Sequence, residues 1–266
     1  MASTDTAFAG SIPEFYDRCL GPFLFEPYAA DLAGRAAALR PGRILETAAG
    51  TGIVTRALAA ALPEAEIVAT DLNPDMLRVA ASKLDSERVT FAPADAQSLP
   101  FPDAAFDLIV CQFGAMFFPD RVQAYREARR VLRPGGIFLF NVWDRLDSNP
   151  ASLAVAEAVA ALFPGDPPSF LSRVPFGYHD KGAVEADLRS AGFARIESET
   201  VARRSRGSAG DVAPGLCQGS PLRAEIEARA PERLDEATEA ALSELVRRCG
   251  DPVDAAMSAH VFEARG

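Results

Sequence analysis

From Arg43 onward, short apolar runs alternate with segments whose apolar residues recur every three or four positions. The runs Arg43–Glu46, Glu66–Asp71, Val89–Pro93, Phe106–Cys111 and Ile137–Val142 read as strands. The Phe106–Cys111 run is almost unbroken in apolar character, as expected of a strand covered on both faces. Between them the pattern predicts helices over Gly52–Leu62, with Val54, Leu58 and Leu62 on one stripe, over Pro74–Leu84 and over Asp120–Leu132. Pro63 ends the first, Asn73 with Pro74 caps the second, Asp120 caps the third, and Pro134-Gly135-Gly136 stops it. Strands linked by helices predict a parallel sheet with crossover connections, which binds ligands beyond the carboxyl ends of its strands.

The flanks read differently. Residues 8–40 pattern as two or three amphipathic helical pieces carrying Phe8, Phe15, Tyr16, Phe23, Phe25 and Tyr28, with a break at Gly21-Pro22. After Asn149 come a helix over Ser152–Leu162, a proline-rich break, an aromatic stretch with Phe170, Phe176 and Tyr178, and a helix over Lys181–Ser190. Arg195–Arg203 and Ser258–Ala264 alternate like strands, with loop and helix between them. The fold class is therefore α/β, Rossmann-like and doubly wound, with a mostly parallel seven-stranded sheet. Residues 1–40 would be a helical cap, 41–149 the core, 150–180 and 207–256 a helical lid, and 181–206 with 257–266 the rest of the sheet. A lid rich in aromatics would exclude water and shape an apolar cavity.

Composition narrows the classes. The net charge of −10 disfavours a broad nucleic-acid groove. The basic run Arg203-Arg204-Ser205-Arg206 reads as a solvated strand end, and the carboxyl-rich stretch 225–245, with Glu225, Glu227, Glu232, Asp235, Glu236 and Glu239, as a solvated helical face. Cys19, Cys111, Cys217 and Cys249 are scattered and only His179 and His260 accompany them, so metal-ligand spacing is absent. Reduced thiols, no leader pattern and no apolar run of spanning length predict a cytoplasmic protein without membrane insertion.

The segment Ile44-Leu45-Glu46-Thr47-Ala48-Ala49-Gly50-Thr51-Gly52 carries the chemistry. A strand ends in an acidic residue, a small-residue loop follows, and a helix begins at once. Such a loop lets backbone approach a ligand closely, and its N–H groups with the helix start favour negative groups. Asp71 closes the second strand, where a carboxylate can accept from both hydroxyls of a ribose; the alternative is a helix-capping or solvated side chain. A dinucleotide fingerprint would need Gly or Ala at Thr55, and a P-loop would need Gly-Lys-Ser/Thr, so both are incomplete.

Glu46 to Gly52 resembles the first motif of the class I S-adenosylmethionine-dependent methyltransferases, acidic-x-Gly-x-Gly-x-Gly, with Ala48 at a position where that family has glycine. The resemblance continues through Ala69–Leu77, Ala94–Phe101, Phe106-Asp107 and Val131–Gly136, and is nearest to the small-molecule enzymes related to the ubiquinone and menaquinone C-methyltransferases. It implies S-adenosylmethionine as cofactor, a small-molecule methyl acceptor and in-line transfer. Ala48, Ala49, Gly50 and Gly52 should lie against the methionine part, and Glu46 should orient the loop or meet the cofactor's amino group. Asp71 should bind the ribose, Leu72 and Met76 the adenine face, and Asp95 with the Ala96 N–H the adenine edge. Gln112 and Phe113 should sit near the sulfonium, with Tyr16 and Phe25 closing over it. Met76, Phe113, Phe117 and Phe118 read equally as core, and Tyr16 with Phe25 as ordinary helix packing.

No catalytic base or metal is assigned. Val110 before Cys111 does not match the Pro-Cys pair of the cytosine-C5 enzymes, so Cys111 reads as a buried strand residue. His179, beside a capping Asp180, reads as solvated, and His260 as distant from the site. The alternative to an enzyme is a non-catalytic module that binds S-adenosylmethionine or S-adenosylhomocysteine. Oligomeric state is not readable.

Overall fold

The computed structural model describes residues 12–266. Strands β1 (Arg43–Glu46), β2 (Glu66–Asp71), β3 (Val89–Pro93), β4 (Phe106–Gln112) and β5 (Leu132–Trp143) pair in parallel. Strands β6 (Arg195–Gly207) and β7 (Val253–Arg265) add to them antiparallel. The order is β3-β2-β1-β4-β5-β7-β6, the seven-stranded doubly wound sheet that the alternation predicts. The chain walks outward from β1 to β3, then returns to β4 on the other side of β1. The strand order thus reverses between β1 and β4, and a crevice opens at their carboxyl ends.

Helices α2 (Glu26–Leu39) and α3 (Ile53–Ala61) pack together, and α5 (Arg121–Val131) packs with α8 (Lys181–Ser190). β5 shows how the pleat divides its side chains. Phe138 and Phe140 meet Tyr125 of α5, while Trp143, on the opposite face, meets Tyr28 of α2. Ile109, Val110 and Cys111 of β4 are fully buried, as the unbroken apolar run requires. The caps are local and sit where expected. Asn73 accepts from Asp75 N of α4 (Pro74–Lys83), Asp120 from Gln123 N, and Asp180 from Gly182 N and Ala183 N.

Several expectations are corrected. Gly21-Pro22 does not break the N-terminal helix: a π-type turn over Gly21–Phe25 joins α1 (Ile12–Leu20) to α2. Proline lacks an N–H, and one wide turn accommodates it without unwinding the chain. Phe8 lies outside the described residues. β5 begins at Leu132, so Pro134-Gly135-Gly136 lies inside the strand, where the register shifts from Phe106↔Leu132 to Leu108↔Ile137. β6 and β7 run further than their apolar alternation because they pair with each other from Arg195↔Arg265 to Gly207↔Val253. The basic run in β6 is ion-paired rather than simply solvated, Arg203 with Asp31 and Arg204 with Asp254, both at 2.5 Å.

Helices α6 (Pro150–Leu162), α7 (Phe170–Arg173), α9 (Ala209–Gln218), α10 (Leu222–Arg229) and α11 (Leu234–Cys249) form a further layer. In it α11 packs on α6 and α9, and α9 packs on α1. Glu225 is not a solvated side chain. It accepts from Ser169 N and Phe170 N at 2.7 and 3.0 Å and pairs with Arg173, so it caps α7 from a distant helix. Among the described residues no helix is long and apolar enough to cross a membrane.

Candidate active site

The loop after β1 adopts left-handed backbone at Ala48 (φ 52°), Gly50 (φ 55°) and Gly52 (φ 76°). Gly52 also needs to be glycine for space, because a Cβ there would stand 2.8 Å from the Ala80 Cβ of α4. That contact brings α4, which starts beyond Asp71, against the start of α3. Ala49 N donates to Thr70 O at 2.9 Å, which ties the loop to the neighbouring strand. Alanine at position 48 takes a left-handed conformation that costs an L-residue about 1–2 kcal/mol.

Glu46 is 1% exposed and lies beneath this loop. Thr55 Oγ1 donates to its Oε2 at 2.7 Å, so the residue that spoils the dinucleotide pattern anchors α3 to β1. Burial, reinforced by the Asp71 charge and opposed by the Thr55 bond, pushes the Glu46 carboxyl up to about 8. Asp71 is half-buried at the end of β2. Its Oδ2 accepts from Gly50 N and its Oδ1 from Asn73 N, both at 2.8 Å. Burial raises its pKa, and the backbone donors work against that rise.

Leu72, next in the chain, is 64% exposed, whereas Met76 is buried against the core. Asp71 is in register with Pro93, so Asp95 lies just past the neighbouring strand end. Asp95 Oδ1 accepts from Gln97 N at 2.8 Å, and Ala96 beside it is half-buried.

An aromatic group covers the ends of β4 and β5. Phe113 (φ 50°) stacks on Trp143 with ring centroids 3.9 Å apart, and Tyr28 meets both rings edge-on. Phe25 stacks on Tyr16 at 4.9 Å and lies tilted against Phe113. Gln112 Nε2 donates to Phe25 O at 3.2 Å, and Phe113 N donates to Asn141 Oδ1 at 2.9 Å. Burial first, then the charges of Asp71 and Asp17, raise the pKa of the Tyr16 hydroxyl. The Asp71 charge thus reaches Tyr16, whose ring stacks on Phe25, and the Phe25 carbonyl accepts from Gln112. Phe117 and Phe118, in the turn after β4, are half-buried, and Phe117 lies tilted against Phe170.

Sequence reasoning missed three features here. Trp143 and Asn141 belong to the site because the register Gln112↔Asn141 sets β5 beside β4, and their position at a strand's carboxyl end was the available signal. Asp17 of α1 bonds Lys83 Nζ of α4 and stands 3.8 Å from Arg56 Nη2 of α3, so one carboxylate connects α1 to the helices on both sides of the loop.

The remaining candidates are a closed thiol and two histidines, one near Phe176 and one opposite Val142, on the β7 side of Trp143. Cys111 is buried, and burial pushes its thiol up to about 11, which leaves it un-ionised at neutral pH. His179 is half-buried, not solvated, with Nδ1 2.8 Å from Phe176 O. His260 lies in β7, separated from β1 by β4 and β5, with Nε2 3.1 Å from Asp144 Oδ1. Among the described residues no cluster of His, Cys, Asp and Glu could hold a metal ion.

Residues 45–140 match the family model described as a methyltransferase domain. The chain is 33% identical to the ubiquinone/menaquinone biosynthesis C-methyltransferase UbiE of Methylobacterium nodulans, over 61% of this chain and 69% of that protein. It is 42% identical to the demethylmenaquinone methyltransferase of Deinococcus radiodurans over 39% of this chain, and spans only 44% of that relative's length. Among solved structures, YcgJ from Bacillus subtilis has the same fold, with a TM-score of 0.57 at 23% identity over 89% of this chain and 99% of that one. By its match to the domain and its identity across more than two thirds of a C-methyltransferase, the chain belongs to the S-adenosylmethionine-dependent methyltransferases related to the ubiquinone/menaquinone enzymes.

Proposed function

We propose that the chain transfers a methyl group from S-adenosylmethionine to a small, partly apolar metabolite. The observation that carries this reading is the joint between Asp71 and Gly50, which holds a ribose-type carboxylate and an open-backbone loop as one unit. Each Asp71 oxygen accepts one backbone bond and keeps a lone pair for a sugar hydroxyl. Leu72, exposed beside it, offers an apolar surface for a base, with Met76 behind. Asp95 and the Ala96 N–H would take the edge of that base. Ala48, Ala49, Gly50 and Gly52 would flank the amino-acid tail, and Glu46 would orient the loop or meet the tail's amino group.

Bound there, the cofactor supplies a methyl group on a cationic sulfur, ready for in-line displacement. The chain's own task is then alignment and exclusion of water. Gln112 and Phe113 would lie nearest the reacting carbon, and Tyr16 and Phe25 would close over it, with the helices of 150–180 and 207–256 completing the lid. The aromatic group of Phe25, Tyr28, Phe113 and Trp143 suits an apolar body on the acceptor. The same reading gives the chain a cytoplasmic location and a metabolite rather than a nucleic acid as partner, in keeping with its net charge of −10.

The test is incubation of the purified protein with methyl-labelled S-adenosylmethionine and a metabolite extract, alongside calorimetry with the cofactor alone. Label appearing in a small molecule supports the enzyme. Tight binding with no transfer across varied extracts favours the non-catalytic module, and no binding at all rejects both.

A further inference from the structure

The carboxamide of Gln112 has one end tied and the other unanswered. Its Nε2 donates to Phe25 O at 3.2 Å, while Oε1 is buried and meets no donor. A backbone carbonyl only accepts, so turning the amide round would set two oxygens against each other. Chemistry therefore fixes its orientation: the N–H end faces the Phe25 backbone and the oxygen faces away from it. Native interiors rarely keep an acceptor buried and unmet without a use for it.

Position supplies the use. Glu46 is in register with Val110, and side chains two residues apart on a strand share a face. Gln112 thus projects from the same sheet face as Glu46, one strand away, at the carboxyl end where the strand order reverses. The Phe25 carbonyl that holds it belongs to the turn stacked on Tyr16, and Tyr16 lies in the field of Asp71. Asn141, in register with Gln112, also has a buried unmet atom, but that atom is Nδ2. Its Oδ1 is held by Phe113 N. A donor repels a cation and an acceptor attracts one, so of these two loose ends Gln112 Oε1 is the one suited to positive charge.

We propose that Gln112 Oε1 is a specificity determinant that reads the sulfonium charge of S-adenosylmethionine and so separates the methyl donor from its neutral product, S-adenosylhomocysteine. The inference rests on the cofactor reading above. A carbonyl dipole attracts a nearby cation strongly where water is excluded. That attraction ends when the methyl group leaves and sulfur becomes neutral. The contact therefore favours donor over product and assists product release. The Phe25 carbonyl acts through Gln112: it aims the oxygen and is a positioning group.

The experiment is calorimetry of the full chain with S-adenosylmethionine and with S-adenosylhomocysteine, which differ at sulfur in the methyl group and the charge it carries. Gln112→Met keeps side-chain length and removes the dipole. Its affinity for S-adenosylmethionine should fall about tenfold, and its affinity for S-adenosylhomocysteine by less than about twofold. Gln112→Asn keeps the amide but withdraws it, and should lose the same preference, which guards against a folding defect in the first variant. Equal losses for both ligands would make Gln112 a packing residue and overturn the inference. Failure of the unmutated protein to bind either ligand would overturn the cofactor reading itself.

Discussion

The methyl group of Ala48 and the bare α-carbon of Gly114 divide one small space between them: a Cβ on Gly114 would stand 2.4 Å from Ala48 Cβ and 2.8 Å from Cys111 Sγ. The alanine that departs from the family motif is thus accommodated by a glycine beyond β4. Gly114→Ala should destabilise the protein by about 1–3 kcal/mol through overpacking. Ala48→Gly alone should be close to neutral, since relief of the left-handed alanine is offset by the extra freedom glycine gives the unfolded chain. The double variant should recover part of the loss, because the Cys111 contact persists. Urea unfolding of the four proteins measures this coupling, and strictly additive effects would contradict the shared space.

Asp71 joins structure to binding. Asp71→Ala leaves Gly50 N and Asn73 N without their acceptors and should cost about 1–3 kcal/mol of stability. It should also weaken S-adenosylmethionine binding by more than about tenfold, the size of a lost hydrogen bond to a charged acceptor. Asp71→Asn keeps one accepting oxygen and should fall between the two. Unfolding midpoints and calorimetric affinities measured on the same samples separate the loop effect from the ligand effect. Unchanged affinity in a folded alanine variant would remove Asp71 from the ribose role.

Legibility followed sequence distance. The four short parallel strands and α8 could be read closely because hydrophobic period and caps are local signals. Asn73 and Asp180 sit beside the backbone donors they serve. The turn after β1 and the placement of Asp71 and Asp95 at neighbouring strand ends were legible because a motif fixes their spacing. The length of β6 and β7 was not, since their outer residues are strands only by pairing with each other. Glu225 looked solvated because the N–H groups it caps lie on another helix. The stacking of Trp143 on Phe113 and the unmet oxygen of Gln112 depend on the register of β4 with β5 and on Phe25 arriving from the N-terminal turn, contacts for which one sequence carries no periodic trace.

Glu46 makes stability depend on pH. Its ordinary value of 4.5 rises to about 8 in the folded protein, chiefly through burial. The folded state therefore binds this proton more tightly than the unfolded chain does. The associated stability is fully present below 4.5 and is lost as pH rises through about 8. Glu46→Gln keeps an acceptor for Thr55 and cannot ionise. Its stability relative to the unmutated protein should climb steadily between about pH 5 and about pH 9. Subtracting the two urea series cancels the other carboxylates. A flat difference would show that Glu46 ionises normally in the fold.

The last relationship concerns access to the crevice. α3 begins at the glycine loop and α4 beyond Asp71, and Asp17 reaches from α1 to Lys83 on α4 and toward Arg56 on α3. Asp17 is buried while Lys83 is partly exposed, so the pair is stronger than a surface ion pair yet open to screening by salt. The sheet does not depend on it. Asp17→Asn should therefore change the global unfolding midpoint little, while speeding proteolysis near Gly21–Phe25 and raising the cofactor dissociation rate by about threefold to tenfold. High salt should move the unmutated protein toward the variant and leave the variant almost unchanged. Lys83→Met should reproduce most of the effect, and adding it to Asp17→Asn should change little further, because the Asp17–Lys83 contact is already lost there. If stopped-flow dissociation is the same in all of these proteins, α1 is held by the Tyr16–Phe25 stack and its packing on α9, and the charge contact has no part in release.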